Sequence, residues 1–246
     1  MTILNQIQQN YVDKKRALAV LIDPDKFDIQ SNTDWFKQAK QIGVDFLLLG
    51  GSIVKIKQLD IICQQIKSTS NLPLILFPGS LFQLTKEADA TLLLSLISGR
   101  NPDLLIGHHV IAAPLIKEMN LETIPTGYLL IDGGNPTAAH YISNTQPIPY
   151  DKPDIAAYTA LAGEYLGLKM MYLDAGSGAK NHVSSEMIKA VRQIITLPIC
   201  VGGGIRDAKT AKSLYRSGAD ILVIGTAFEK DKNLDLLREI AKIKLS

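Results

Sequence analysis

Three glycine-bearing strings in the second half of the chain each follow an apolar run: Tyr172-Leu173-Asp174-Ala175-Gly176-Ser177-Gly178, Val201-Gly202-Gly203-Gly204-Ile205 and Ile224-Gly225-Thr226-Ala227. Glycine lets the backbone approach an anion closely and take up positive φ, and consecutive N–H groups or a helix N-terminus then supply donors. One such string signals a tight turn as readily as a ligand. All of them together, at the ends of consecutive strands, converge on one point and predict a phosphomonoester site. The first half offers different chemistry. Asp23 follows the run Val20-Leu21-Ile22 and precedes Pro24-Asp25-Lys26, while Ser52 ends Leu49-Gly50-Gly51-Ser52. A carboxylate and a hydroxyl are hard oxygen ligands of the kind Mg²⁺ takes in ones and twos, with water and substrate phosphates completing its shell. Asp23 and Ser52 are therefore expected to hold Mg²⁺. Asp25 reads as a turn or cap residue, and Lys26 either as a solvated lysine or as a contact for a diphosphate.

These groups need a rigid scaffold to bring them together. Short aliphatic runs recur at 18–22, 45–49, 74–77, 91–94, 128–131, 170–173, 198–201 and 220–224, and helical spacing fills 35–42, 59–67, 155–165, 186–195, 208–216 and 234–243. Strands that are continuously apolar belong to a parallel sheet covered on both faces. Eight β/α repeats predict a (β/α)8 barrel, in which the C-terminal strand ends carry the chemistry and the last loops bind phosphate. A doubly wound open sheet is the alternative. Two stretches depart from the repeat: 101–113 mixes helical and turn signals, and 132–153 carries Gly133, Gly134, Pro136, Pro147, Pro149 and Pro153. The second is too long for an ordinary βα connection and reads as an active-site loop with helix near 137–142. No low-complexity linker divides the chain, so 1–246 reads as one domain.

Composition narrows the function. The 246 residues suit a single barrel, and 26 Lys+Arg against 24 Asp+Glu leave a net charge of +2, with no footprint for a nucleic acid. A hydrophobic content of 46% against 20% charged excludes disorder. Cys63 and Cys200 are too few for a disulfide framework, which points to a cytoplasmic protein with buried thiols. Residues 1–16 lack the apolar core of a signal peptide, and no apolar run approaches the roughly 18 residues of a membrane span. His108 and His109 have no carboxylate or cysteine at zinc spacing and read as structural.

The strings Leu21-Ile22-Asp23-Pro24-Asp25-Lys26, Gly50-Gly51-Ser52, 172–178 with Ala179, Gly202–Ile205 and Gly225-Thr226 occur in the order and spacing of one family. The chain resembles the geranylgeranylglyceryl phosphate synthases and their bacterial heptaprenylglyceryl relatives over essentially its whole length. The resemblance implies a modified (β/α)8 barrel, or TIM barrel, whose third helix is replaced or missing. It implies a prenyltransferase that joins the C3 hydroxyl of sn-glycerol 1-phosphate to a prenyl diphosphate, forming an ether bond and releasing diphosphate. Carried over by position, Asp23 and Ser52 resemble the Mg²⁺ ligands. Tyr172, Leu173, Asp174, Ala175, Gly176, Ser177, Gly178, Gly203, Gly204, Gly225 and Thr226 resemble the glycerol phosphate site. Asp174, between the two phosphate regions, is the candidate general base. Many relatives carry Glu there, and some bacterial ones carry Lys where this chain has Leu21. The Ala175-Gly176-Ser177-Gly178 string is closer to archaeal-like members, so geranylgeranyl diphosphate is the expected donor. The resemblance also implies a homo-oligomer, dimer or hexamer.

A competing reading is a sugar-phosphate isomerase of the histidine-biosynthesis type. Leu129-Leu130-Ile131-Asp132 echoes Leu21-Ile22-Asp23 and would set Asp23 and Asp132 across the barrel as an acid/base pair. A non-enzymatic phosphate-binding module is a third, against which Asp23, Ser52 and Asp174 argue.

Overall fold

The strand runs of the sequence close on themselves. In a computed structural model of the chain, eight parallel strands pair in sequence order, and the last returns to the first. They are β1 (Ala17–Ile22), β2 (Phe46–Leu49), β3 (Leu74–Leu76), β4 (Ala90–Ser95), β5 (Glu122–Leu130), β6 (Met170–Asp174), β7 (Ile199–Gly202) and β8 (Ile221–Ile224). The structure describes all residues except 27–28, 53, 55–58, 81–82, 226–233 and 245–246, and leaves aside the side chains of 29–34. Closure removes the open-sheet alternative.

Each strand is apolar on both faces because each face has its own core. Along β1, Leu18 and Val20 join Leu47, Leu129, Leu173 and Val201 in the layer beneath the helices. Ala17 and Ala19 turn instead into the barrel, with Phe46, Ile75, Leu92, Met170, Cys200 and Val223. The outer layer is covered by α2 (Ile29–Ile42), α3 (Leu59–Thr69), α4 (His108–Glu118), α6 (Pro153–Tyr165), α7 (Ser185–Ile194), α8 (Ala208–Ser217) and α9 (Leu234–Lys244). A short α5 (Ala138–Ser143) lies in the β5–α6 connection, where the sequence pattern placed helix near 137–142. Cys63 and Cys200 are buried and unpaired, as the small apolar reading expects.

Between β3 and β4 no helix occurs among the described residues, which agrees with a barrel lacking its third helix. Three features go beyond the sequence pattern. Residues 103–107 form a π-helical turn leading into α4, so the ambiguous stretch is mostly helical. β5 begins at Glu122, earlier than the apolar run, because Thr123, Pro125 and Thr126 interrupt the pattern while still pairing with β4. A further helix, α1 (Ile3–Val12), stops the lower mouth of the barrel by inserting Ile3 and Ile7 into the interior core. Thr2 caps it by accepting from Asn5 N–H, and the Glu122 carboxylate accepts from Ile3 N–H at 2.9 Å and Leu4 N–H at 2.7 Å.

Those last bonds satisfy orphan donors at the positive end of a helix dipole with a charged acceptor from β5. Glu122→Ala should therefore lower unfolding stability by about 1–3 kcal/mol, measured by urea denaturation. An unchanged midpoint would mean that α1 is held by its apolar contacts alone.

Candidate active site

Register brings the chemistry to one end of the barrel. Ile22 pairs with Leu49, and Leu49 with Leu76, so Asp23, Gly50 and Phe77 emerge side by side. Asp174 pairs with Leu130 on one side and Gly202 on the other. A cleft of about 1010 Å³ opens there, lined at one end by Ser177, Gly178, Gly203, Gly204 and Gly225 and at the other by Asp23, Lys26, Gly51 and Ser52.

The glycine end is built of backbone. Gly203 and Gly204 have φ of +84° and +71°. A Cβ on Gly203 would lie 2.6 Å from Gly176 N, and one on Gly204 would lie 2.7 Å from Asn181 O. Both conformation and clearance therefore demand glycine, which presses the loop after β7 onto the loop after β6. Among the described residues, no protein acceptor takes the N–H groups of Gly178, Gly203 and Gly204. For three residues of the expected set the structure defines what is available to a ligand. Leu173 and Ala175 bury their side chains in the outer core layer, so they offer the site only backbone. Gly176 N–H is already committed, donating to Asp174 Oδ1 at 2.7 Å. Thr226 lies outside the described residues.

Asp174 occupies the middle of the cleft and is only 7% exposed. Its Oδ2 accepts from Tyr128 O–H at 2.5 Å. Burial pushes its carboxyl above the ordinary aspartate range, opposed by the bonds from Tyr128 and Gly176 and by the positive field of His140. Burial likewise raises the phenols of Tyr128 and Tyr172, which stay protonated as donors. Tyr172 stacks on Phe77 with ring centroids 5.1 Å apart and lies 5.6 Å from the ring of Tyr128. Tyr172 thus lines the cleft as an aromatic wall and braces the tyrosine that holds Asp174.

At the other end, Asp23 Oδ2 pairs with Lys26 Nζ at 2.8 Å, and Oδ1 accepts from Asp25 N–H at 3.1 Å. The second of these is the turn role expected of Asp25. Lys26 lines the cleft instead of pointing away from it. Gln83, 3% exposed, accepts from Gly79 N–H and donates to Gly51 O at 2.9 Å, tying the loops after β2 and β3 together beside Ser52. Leu84, Leu93, Leu94, Leu104, Ala112 and Ile116 continue the cleft as an apolar trough. His109 Nε2 meets Leu94 O at 2.8 Å, the structural role its surroundings suggest.

The isomerase pairing does not form. Asp132 is absent from the cleft lining, and its Oδ1 accepts from Gly134 N–H at 2.8 Å to shape a turn. Three residues escaped the sequence reading. Nothing in the spacing of Tyr128 marks its bond to Asp174. Gln83 belongs to no periodic element. Arg206, by contrast, directly follows the triple glycine and is a cation beside an anion cradle, a signal the sequence carries openly.

The fold and cleft define a (β/α)8 barrel with unpaired backbone donors and an apolar trough at the C-terminal mouth. The chain matches the PcrB family over residues 10–244. It is 49% identical over 241 residues to the geranylgeranylglyceryl phosphate synthase of Chitinophaga pinensis, covering 96% of this chain and 95% of the relative. To the enzyme of that name from Pyrococcus horikoshii it is 40% identical over 229 residues, covering 93% and 89%. Its fold superposes on the crystal structure of (S)-3-O-geranylgeranylglyceryl phosphate synthase from Thermoplasma acidophilum in complex with substrate sn-glycerol-1-phosphate. That match has a TM-score of 0.93 and 33% identity, covering 99% of this chain and 98% of the other. The chain belongs to the PcrB family and is a prenyltransferase.

The hydrogen bond from Tyr128 favours the charged form of Asp174. Tyr128→Phe should accordingly move the Asp174 titration further up, read from the pH dependence of its carboxyl ¹³C shift. A downward move would show that the phenol does not stabilise the carboxylate.

Proposed function

We propose that this protein transfers a prenyl group, geranylgeranyl or similar, from its diphosphate to the C3 hydroxyl of sn-glycerol 1-phosphate, with Mg²⁺ as cofactor. The observation that carries the reading is one continuous cleft holding unpaired backbone donors, a buried carboxylate, an acid–hydroxyl pair and an apolar trough in series.

The donor set fits Mg²⁺. No group of three His, Cys, Asp or Glu side chains that could hold a metal occurs among the described residues. One carboxylate, Asp23, and one hydroxyl, Ser52, suit a hard ion that keeps water and substrate phosphates in its shell. When bound, Mg²⁺ supplies neutralisation of the negative charge that grows on the departing diphosphate.

The chain's own residues do the remainder. Gly178, Gly203 and Gly204 present N–H donors to the glycerol phosphate, and the apolar trough takes the prenyl tail, so the two reacting atoms meet above Asp174. Positioning of this kind removes much of the entropic barrier. Each carboxylate oxygen has lone-pair capacity beyond the bonds from Tyr128 and Gly176. Asp174 accepts the C3 hydroxyl proton as the new C–O bond forms and the allylic C–O bond breaks, its electron pair leaving with diphosphate. Burial raises the proton affinity of Asp174, which suits a base. Asp is one methylene shorter than the Glu of many relatives, so the hydroxyl must approach closer to β6. Lys26 stands beside Asp23 as a second positive charge for the diphosphate.

The expected homo-oligomer belongs to the same reading, since Val110 and Ile111 of α4 and Tyr158 and Tyr165 of α6 are exposed in the single chain. Sedimentation should give a mass of at least two chains; a monomer at micromolar concentration would reject association.

Radiolabelled sn-glycerol 1-phosphate incubated with geranylgeranyl diphosphate and Mg²⁺ should yield a butanol-extractable product. Absence of transfer with every prenyl length would reject the function. Asp23→Asn should abolish turnover with the fold intact. Asp174→Glu should retain activity, whereas Asp174→Asn should lower kcat by about 10²-fold or more. An Asn variant as active as wild type would remove Asp174 from the base role.

A further inference from the structure

Arg206 stands at the rim of the cleft, immediately after the triple glycine, where a guanidinium invites reading as a phosphate ligand. Its hydrogen bonds point elsewhere. Nη1 donates to Lys180 O at 3.0 Å, and Nη2 donates to Ala179 O. Both acceptors lie in the loop after β6, just beyond Ser177 and Gly178.

The other edge of that loop is held too. Lys180 N–H donates to Asn135 Oδ1 at 2.8 Å, and Asn181 N–H donates to Gly133 O at 2.9 Å. The carbonyl of Ala179 and the N–H of Lys180 belong to one planar peptide unit, as do the carbonyl of Lys180 and the N–H of Asn181. Two consecutive peptide planes are thus pinned on opposite edges, each carbonyl to Arg206 and each N–H to the β5–α5 connection. Glycines on both flanks make the approach close: a Cβ on Gly133 would lie 2.6 Å from Ala179 Cβ, and one on Gly204 would lie 2.7 Å from Asn181 O. Gly178 itself, at φ +75°, has no atom of the described residues within 4 Å of where its Cβ would stand. Among the described residues, what orients it is therefore the pinned planes that follow.

We propose that Arg206 is a positioning residue for phosphate binding: its two-pronged bond to Ala179 and Lys180 orients the loop that presents Ser177 and Gly178 to the phosphate end of the cleft. The guanidinium acts through these carbonyls instead of serving as the phosphate ligand. Arginine suits the task because its planar fork reaches two acceptors at once, which a lysine ammonium on a flexible stem does not reproduce. This inference rests on the reading of the cleft's glycine end as the glycerol phosphate site.

The test compares Arg206→Lys and Arg206→Ala with wild type in the full chain, after thermal unfolding has shown each variant folded. Amide hydrogen exchange across 177–182 is measured without substrate, and steady-state constants are measured for both substrates. Both variants should exchange faster in that segment while β7 and α8 stay unchanged. KM for sn-glycerol 1-phosphate should rise about tenfold or more, with kcat and KM for the prenyl diphosphate within about twofold, the pattern of lost uniform binding. A lysine variant matching wild type in exchange and KM would show that charge alone matters and overturn the proposal. Unchanged exchange in the alanine variant would overturn it as well. If wild type neither binds nor converts sn-glycerol 1-phosphate, the substrate reading fails, and the pinning of the loop still stands or falls on the exchange result.

Discussion

Parallel pairing around a closed barrel is the constraint on which the site depends. Each strand of a parallel ladder is set against its neighbours in a fixed register, and a slip of one residue would turn every side chain to the other face. With Asp174 locked between Leu130 and Gly202, its carboxylate is committed to the interior of the barrel mouth, and Leu173 to the helical layer. The same logic sends Asp23 out beyond Ile22 beside Gly50 and Phe77. The groups at the two ends of the cleft stand on different strands, β1 and β2 against β6, β7 and β8. They share a position only because the barrel closes between β8 and β1.

Holding a carboxylate almost fully buried works against its charge, and the surroundings are arranged to limit that cost. Two donors, a phenol from β5 and a backbone N–H from the following loop, face its two oxygens. The phenol is itself braced, since Tyr128 packs edge-on to Phe77 at 6.0 Å and Phe77 stacks on Tyr172. Three aromatic residues from β5, β6 and the end of β3 therefore fix one hydrogen bond. A carboxylate so held keeps its orientation without needing to reorganise as charge develops nearby, which is where preorganisation gains its effect.

The barrel was legible in the sequence because strands buried on both faces appear as plain apolar runs, and because α8 and α7 carry their caps, Asp207 and Ser184, just ahead of an amphipathic pattern. The backbone of the cleft's glycine end was legible because glycine announces a backbone requirement. The start of β5 was hidden by Thr123, Pro125 and Thr126, and buried Thr126 satisfies its own hydroxyl locally on Ile124 O. α1 was hidden because its apolar face is only Ile3 and Ile7 in a polar segment, and what holds it comes from Glu122, far along the chain. The role of Gln83 was hidden for the same reason: bonds to Gly79 and Gly51 depend on loops that meet only in three dimensions. What local pattern conceals is consistently the long-range polar contact, while long-range apolar contact leaves a trace as periodicity.

Under the proposed function the two ends of the cleft would solve anion recognition differently, and the difference follows from what each anion must do. A phosphomonoester that stays bound through the reaction is matched by donors that are part of the chain's own covalent geometry, so accuracy comes from fixing peptide planes. That demand explains why 179–181 are held on both edges and why Gly203 and Gly204 tolerate no side chain. A diphosphate that gains charge and then departs would be better matched by side chains than by fixed backbone: Lys26 on its stem, ion-paired to Asp23, with Ser52 beside them. The apolar trough runs on from the Asp23 and Ser52 end past β3 and β4, and a prenyl tail filling it would keep water from competing with the glycerol hydroxyl. Rigid backbone at the acceptor end, sparse side chains at the donor end and an apolar trough beyond them are three separate requirements. A closed barrel meets all of them because loops from different strands can differ in stiffness while their roots remain fixed.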